Sequence, residues 1–149
     1  MRTPAGSVRP ILFLLFLGLV MTTALLATTE ELDENKDGVV DQWVETGGGD
    51  TTMRKDRDFD GTADYELVYD ERARKVYESI DFNYDGEMDD FYYYENGVLT
   101  RREIDTDFDG RIDLWVTLSE GVYVARVERD LDGDGKADYV KDYGLDKDR

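Results

Sequence analysis

One nine-residue pattern, Asp-x-Asp/Asn-x-Asp-Gly-x-x-Asp, occurs five times in this chain of 149 residues, and no fold without a short repeat accommodates it. The copies read DENKDGVVD (Asp33 to Asp41), DRDFDGTAD (Asp56 to Asp64), DFNYDGEMD (Asp81 to Asp89), DTDFDGRID (Asp105 to Asp113) and DLDGDGKAD (Asp130 to Asp138). Their first residues, 33, 56, 81, 105 and 130, lie 23, 25, 24 and 25 apart. Chance does not put so many oxygen-bearing side chains in register five times.

The pattern has the chemistry of a cation loop. Alternate side chains turn inward, while a glycine at the sixth position (Gly38, Gly61, Gly86, Gly110, Gly135) allows a backbone angle that other residues resist. Positions 1, 3 and 5 then supply side-chain oxygens, position 7 a backbone carbonyl, and the Asp at position 9 closes the cage. The expected ligands are Asp33, Asn35, Asp37, Val39 and Asp41 in the first loop, and Asp56, Asp58, Asp60, Thr62 and Asp64 in the second. The third has Asp81, Asn83, Asp85, Glu87 and Asp89, and the fourth has Asp105, Asp107, Asp109, Arg111 and Asp113. The fifth has Asp130, Asp132, Asp134, Lys136 and Asp138. Three or four carboxylates within a few ångströms repel one another strongly unless a cation lies between them. Hard oxygen ligands without His or Cys point to calcium, in up to five sites, rather than zinc or copper. Magnesium fits less well, because it keeps its water and demands a stricter octahedron. Asn35 and Asn83 remove one charge from loops 1 and 3, which implies weaker binding there. Arg54, Lys55 and Arg57 crowd loop 2 with positive charge. The plain alternative is that Asp, Asn and Gly simply make good turns with solvated carboxylates; five copies in fixed register weigh against it.

Charge and composition agree with a need for cations. All 36 acidic residues lie after Thr29, with 16 of the 18 basic ones, so that part of the chain carries −20. Self-repulsion of that size opposes compaction, and it excludes nucleic acid as a natural partner, because phosphate binding needs clustered Lys and Arg. Before Thr29, Arg2 and Arg9 precede an apolar run from Ile11 to Ala27, with small residues near Ala24 and Ala27. Residues 1–27 therefore read as a secretory signal peptide, or as an uncleaved N-terminal anchor, since about seventeen apolar residues lie at the lower limit for spanning a bilayer. Export to the periplasm or the exterior follows, with membrane contact only through that segment, and residues 28–149 form the domain. Cysteine is absent, so neither disulfides nor a thiol-linked lipid can secure it.

Between the loops the sequence alternates like strands. Tyr65, Leu67 and Tyr69 share one face; Leu114, Val116 and Leu118 do the same, with Trp115 opposite. Val, Tyr, Phe, Trp and Thr dominate these stretches, as suits a pleated surface. Each meets a turn, such as Gly47-Gly48-Gly49-Asp50, Glu95-Asn96-Gly97 or Ser119-Glu120-Gly121, and a return strand follows, such as Val98 to Ile104. The expected fold is all-β: an antiparallel meander of about nine strands, built from five hairpin repeats of about 24 residues, with tight turns along one edge and ion loops along the other. Trp43, Glu66, Phe91, Trp115 and Val140, two residues beyond each final Asp, make the second face partly apolar as well. Barrel, sandwich and single sheet all stay open.

A helix–loop–helix calcium site ends with Glu at position 12, where this chain has Val44, Leu67, Tyr92, Val116 and Lys141. That departure and the strand-like flanks exclude EF-hands and dockerin modules. The loops instead resemble the nine-residue calcium loops of integrin- and thrombospondin-type proteins. FYYYENGVLTRRE (Phe91 to Glu103) and LWVTLSEGVYVARVE (Leu114 to Glu128) look like MORN-type hairpins. Together they resemble an exported bacterial repeat protein, which implies calcium binding and hairpins.

No catalytic grouping stands out. Histidine and cysteine are absent, and with them the commonest bases and nucleophiles. A carboxylate pair can hydrolyse glycosides, but the aspartates are accounted for as ligands. Tyr92, Tyr93, Tyr94 and Trp115 read either as sheet packing or as a carbohydrate platform. The expected role is structural or binding, with an envelope protein or a glycan as partner and adhesion as the main alternative.

Overall fold

The computed structural model describes residues 27–144, which form one antiparallel sheet without a helix. Ten strands follow in chain order: β1 (Thr28–Leu32), β2 (Gln42–Gly47), β3 (Asp50–Lys55), β4 (Tyr65–Tyr69), β5 (Lys75–Ile80), β6 (Asp90–Glu95), β7 (Val98–Ile104), β8 (Leu114–Ser119), β9 (Tyr123–Arg129) and β10 (Tyr139–Asp142). Among the described residues each pairs only with its neighbours in sequence, so β1 and β10 form the two edges. The sheet is thus an open meander, neither barrel nor sandwich. The signal-peptide segment lies outside the described residues, apart from Ala27.

The strand beyond the expected nine is β1. Its sequence, Thr-Thr-Glu-Glu-Leu, has one apolar residue and no alternation, so the pattern does not announce it. Pairing draws it in: Leu32 lies opposite Gln42 and Thr28 opposite Thr46. Strand formation depends more on neighbours than on intrinsic preference.

The tight turns gather on one edge. Gly48-Gly49, Asn96-Gly97 and Glu120-Gly121 all have positive φ at both central residues, as hairpins with matching twist require. The β4–β5 turn has no such pair; backbone bonds from the Asp70 N–H to the Arg74 carbonyl and from the Ala73 N–H to the Asp70 carbonyl close it, each at 2.9 Å, and a side chain reinforces them. The Asp70 carboxylate accepts from the Arg72 and Arg74 backbone N–H groups at 2.9 and 3.0 Å and from Arg74 Nε at 2.8 Å. The Arg74 guanidinium, then those N–H groups, hold the Asp70 carboxyl down to about 2.

A single layer has little interior, and Leu67, 7% exposed, is the one buried apolar side chain among the described residues. Polar clusters fill the half-buried faces. Glu78 accepts the Tyr65 and Tyr94 hydroxyls and Lys75 Nζ, each at 2.8 Å. Removal from water pushes the Glu78 carboxyl up, but these three donors outweigh it and hold it below its usual value. Asp90, fully buried, takes Arg102 Nε at 2.7 Å, a second bond from Arg102 Nη2, and the Tyr92 hydroxyl at 2.9 Å. Tyr93 donates to Glu103 at 2.9 Å and packs tilted on Tyr77, ring centres 5.6 Å apart. The hydroxyls of Tyr92, Tyr93 and Tyr94 are therefore all donated to carboxylates of the sheet itself.

Candidate metal centre

The five Asp loops lie along the edge opposite the tight turns, each joining a return strand to the next outgoing one. In every loop the position-1 Asp bends the backbone around its own carboxylate. One oxygen accepts the position-4 N–H, at 2.6 Å from Lys36, 2.6 Å from Phe59, 2.7 Å from Tyr84, 2.7 Å from Phe108 and 2.8 Å from Gly133. The other accepts the glycine N–H at position 6, between 2.7 and 2.9 Å. This requires left-handed backbone at position 4, with φ of 66° at Lys36 and Phe59 and 61° at Tyr84 and Phe108. Each such residue costs about 1–2 kcal/mol, which the two charge-assisted bonds offset.

The position-9 Asp closes the loop from its other end. Its carboxylate accepts the position-2 N–H, at 2.6 Å from Glu34 and Arg57, 2.7 Å from Phe82 and 2.8 Å from Leu131. In loop 4, Asp113 takes the Thr106 hydroxyl at 2.7 Å with a longer bond from its N–H. Position 9 of each loop is also tied to position 1 of the next. The N–H groups of Asp56, Asp81, Asp105 and Asp130 donate to the carbonyls of Asp41, Asp64, Asp89 and Asp113 at 2.8 to 2.9 Å. The loops therefore stack side by side, one per repeat.

Burial separates the positions. Asp41, Asp56, Asp64, Asp81, Asp89, Asp105 and Asp130, all at positions 1 or 9, are buried, whereas Asp33 and Asp113 are half-buried and Asp138 is exposed. Positions 3, 5 and 7 are exposed throughout. A domain whose buried side chains are mostly carboxylates is the inverse of ordinary burial. Such charges are tolerated only when bonded or neutralised.

Carboxylate oxygens converge in three loops. Those of Asp56, Asp58 and Asp64, of Asp105, Asp107 and Asp113, and of Asp130, Asp132 and Asp138 lie within 4.8 Å of one another in each set. These are positions 1, 3 and 9. In loops 1 and 3 position 3 is an amide: Asn35 Nδ2 donates to Asp37 Oδ2 at 3.0 Å and Asn83 Nδ2 to Asp85 Oδ2 at 2.8 Å. Position 5 bonds the backbone through one oxygen. Asp37, Asp60, Asp85, Asp109 and Asp134 accept the position-7 N–H of Val39, Thr62, Glu87, Arg111 and Lys136 between 2.7 and 3.0 Å. Position 3 supports the turn too: Asp58 accepts the Asp60 N–H and Asp132 the Asp134 N–H, each at 3.2 Å.

The converging sets carry excess negative charge. Removal from water, then the neighbouring Asp109, Asp113 and Asp105, push the Asp107 carboxyl up. Asp58 is raised by desolvation and by Asp60, Asp64 and Asp56. Asp130 goes the other way: desolvation would raise it, but N–H donors from Gly135, Gly133, Asp132 and Asp134 outweigh this and hold it low. Oδ1 of Asp41, a residue 1% exposed, is buried without any hydrogen-bond partner. All-oxygen donors, repulsion inside each set and an orphaned buried carboxylate oxygen fit a hard divalent cation.

Two of the three basic residues near loop 2 are paired with carboxylates outside it. Arg54 reaches Glu66 at 2.5 Å and Glu45 at 3.2 Å, and Lys55 reaches Glu34 at 2.7 Å. Between loops, Arg111 Nη1 lies 3.4 Å from the Gly133 carbonyl, and a Cβ added to Gly110 would meet Glu87 Oε2 at 3.0 Å. Gly110 has φ of 84°, so Gly110→Ala is expected to cost about 1–2 kcal/mol, measured by urea unfolding.

No family model matches the chain, and no curated protein matches it. Among solved structures it is similar to part of accessory secretory protein 1, 2 and 3 of Streptococcus pneumoniae, with TM-score 0.46 and 14% identity over 68% of this chain and 19% of that one. It is similar to part of TarM, with TM-score 0.43 and 14% identity over 60% of this chain and 19% of that one. The chain thus spans about a fifth of the length of these structures. Likeness at this level bears on neither ligand nor activity.

Proposed function

We propose that this is an exported calcium-binding repeat protein in which the ions stabilise the fold and the role is structural or binding rather than catalytic. One observation carries the reading: carboxylate oxygens from positions 1, 3 and 9 gather within 4.8 Å in loops 2, 4 and 5. Bound calcium supplies compensating charge there. The chain's own residues do the rest. Positions 1 and 9 fix the loop backbone through their N–H bonds, and the ties between consecutive Asp residues fasten each hairpin to the next. Metal binding is then linked to folding.

Export follows from the apolar N-terminal segment, and an extracytoplasmic setting supplies calcium at the 10⁻⁴–10⁻³ M range in which such modules commonly bind. A non-catalytic role agrees with the absence of His and Cys and with the use of the loop aspartates as backbone acceptors. Envelope proteins and glycans remain the partner classes for the sheet faces.

Calcium titration of position-3 variants tests the assignment. Asn83→Asp completes the charge set of loop 3 and is expected to add one site of the tighter class by isothermal titration calorimetry. Asp107→Asn is expected to move loop 4 to the weaker class, with the other loops unchanged. Identical isotherms for both variants and the parent would overturn the role given to position 3.

A further inference from the structure

We propose that the two free edges pair with each other between copies of this chain, β10 of one copy lying antiparallel on β1 of the next. Both strands are exposed along their length, and neither has a proline or a bulge to blunt it. Their outward backbone groups are in matching phase. The Tyr143 N–H donates to the Ala125 carbonyl at 2.9 Å, so alternation along the ladder turns Val140 and Asp142 outward. The Leu32 carbonyl accepts the Asp41 N–H at 2.9 Å, which turns Glu31 and Thr29 outward on β1.

The repeat also says what each edge lacks. Inside the sheet, every strand that follows a loop pairs with one that precedes a loop: β2 with β3, β4 with β5, β6 with β7 and β8 with β9. Among the described residues β10 follows the fifth loop without such a partner, and β1 precedes the first loop without the reciprocal one. Carrying over the register of β2 and β3, in which Gln42 faces Lys55 and Trp43 faces Arg54, sets Tyr139 against Leu32 of the second copy. Val140 then faces Glu31, Lys141 faces Glu30 and Asp142 faces Thr29. The outward groups of Val140 and Asp142 meet those of Glu31 and Thr29, as a ladder requires. The pairing places the ammonium of Lys141, now 4.6 Å from the Tyr143 ring centre, opposite the Glu30 carboxylate, and covers Leu32 and Tyr139, exposed at 52% and 44%. The join is heterologous, so it propagates head to tail. It depends on the folded sheet and not on which ion fills the loops.

Sedimentation velocity on the full chain tests this from about 10 to about 500 μM, since an interface of one strand pair is weak. Runs in 10 mM calcium with and without 0.5 M sodium chloride separate edge pairing from ionic bridging, with circular dichroism confirming the β-sheet. The parent chain is expected to show a concentration-dependent rise in sedimentation coefficient in each buffer where the sheet is folded. Val140→Pro is expected to weaken association at least tenfold by removing an outward N–H. Lys141→Glu and Glu30→Lys alone should each weaken it about two- to fivefold, as for a cross-strand charge pair, and an equimolar mixture of the two should recover it. A folded parent chain that stays monomeric throughout, or a mixture that associates no better than either variant alone, would overturn the proposal.

Discussion

Chelation of divalent cations is expected to lower the melting temperature by about 15–30 °C, and at 37 °C to leave the sheet largely unfolded. Each loop that binds calcium in the 10⁻⁴–10⁻³ M range gains about 1.4–2.7 kcal/mol at 10 mM free ion. The three loops with converging carboxylates, after Lys55, Ile104 and Arg129, therefore contribute about 4–8 kcal/mol together. That is comparable to the whole stability of an ordinary domain, about 5–15 kcal/mol, and a domain of this size shifts by a few degrees for each kcal/mol. This sheet has little else to draw on. Among the described residues its one buried apolar side chain is Leu67, and its buried carboxylates oppose folding without compensation. Calorimetry of the same sample in calcium and in EDTA reads the difference, with magnesium as a control expected to restore less.

The second large effect lies away from the loops, at Asp90 and Arg102. Arg102→Ala leaves a fully buried carboxylate with only the Tyr92 hydroxyl as a side-chain donor. Breaking a buried pair from one side costs about 3–5 kcal/mol. Arg102 keeps 37% of its side-chain surface exposed, so about 2–4 kcal/mol is expected, read as a shift in the urea midpoint. The double change Arg102→Met with Asp90→Leu should cost less than Arg102→Ala alone, because no unpaired charge remains. A double variant no more stable than the single one would mean that the pair's worth is its geometry and not relief of a buried charge. The Tyr92 hydroxyl, pushed up to about 12 by burial and by its bond to Asp90, belongs to the same cluster.

Much of this is legible in the residues, and the reasons are specific. The Asp-x-Asp/Asn-x-Asp-Gly-x-x-Asp spacing foretells five loops because each position meets a backbone requirement. Positions 1 and 9 accept N–H groups, and position 6 needs positive φ. The Asn96-Gly97 and Glu120-Gly121 turns are visible for the same reason. The β4–β5 turn is not, because Ala73, not Gly or Asn, takes its positive φ of 57°, with the Asp70 side chain in support. β1 is hidden because Thr-Thr-Glu-Glu-Leu becomes a strand only by pairing with β2. The choice of an open sheet rests on register carried over ten strands, which no local pattern encodes. Within the loops, spacing alone does not reveal that the carboxylates of positions 1, 3 and 9 converge, as those of Asp56, Asp58 and Asp64 do. The tie from each position-9 carbonyl to the next position-1 N–H is equally hidden, because the two residues are 15 to 17 apart in sequence and meet only across adjacent hairpins.

Equilibrium dialysis of the full chain against radioactive calcium, with ions counted per chain up to 10 mM free ion, bears most directly on the role of the acidic loops. The account predicts at least three ions per chain, a fourth with Asn83→Asp, and loss of the β-sheet circular dichroism signal as the count falls to zero. Fewer than one ion per chain at 10 mM, with that signal intact, would contradict it.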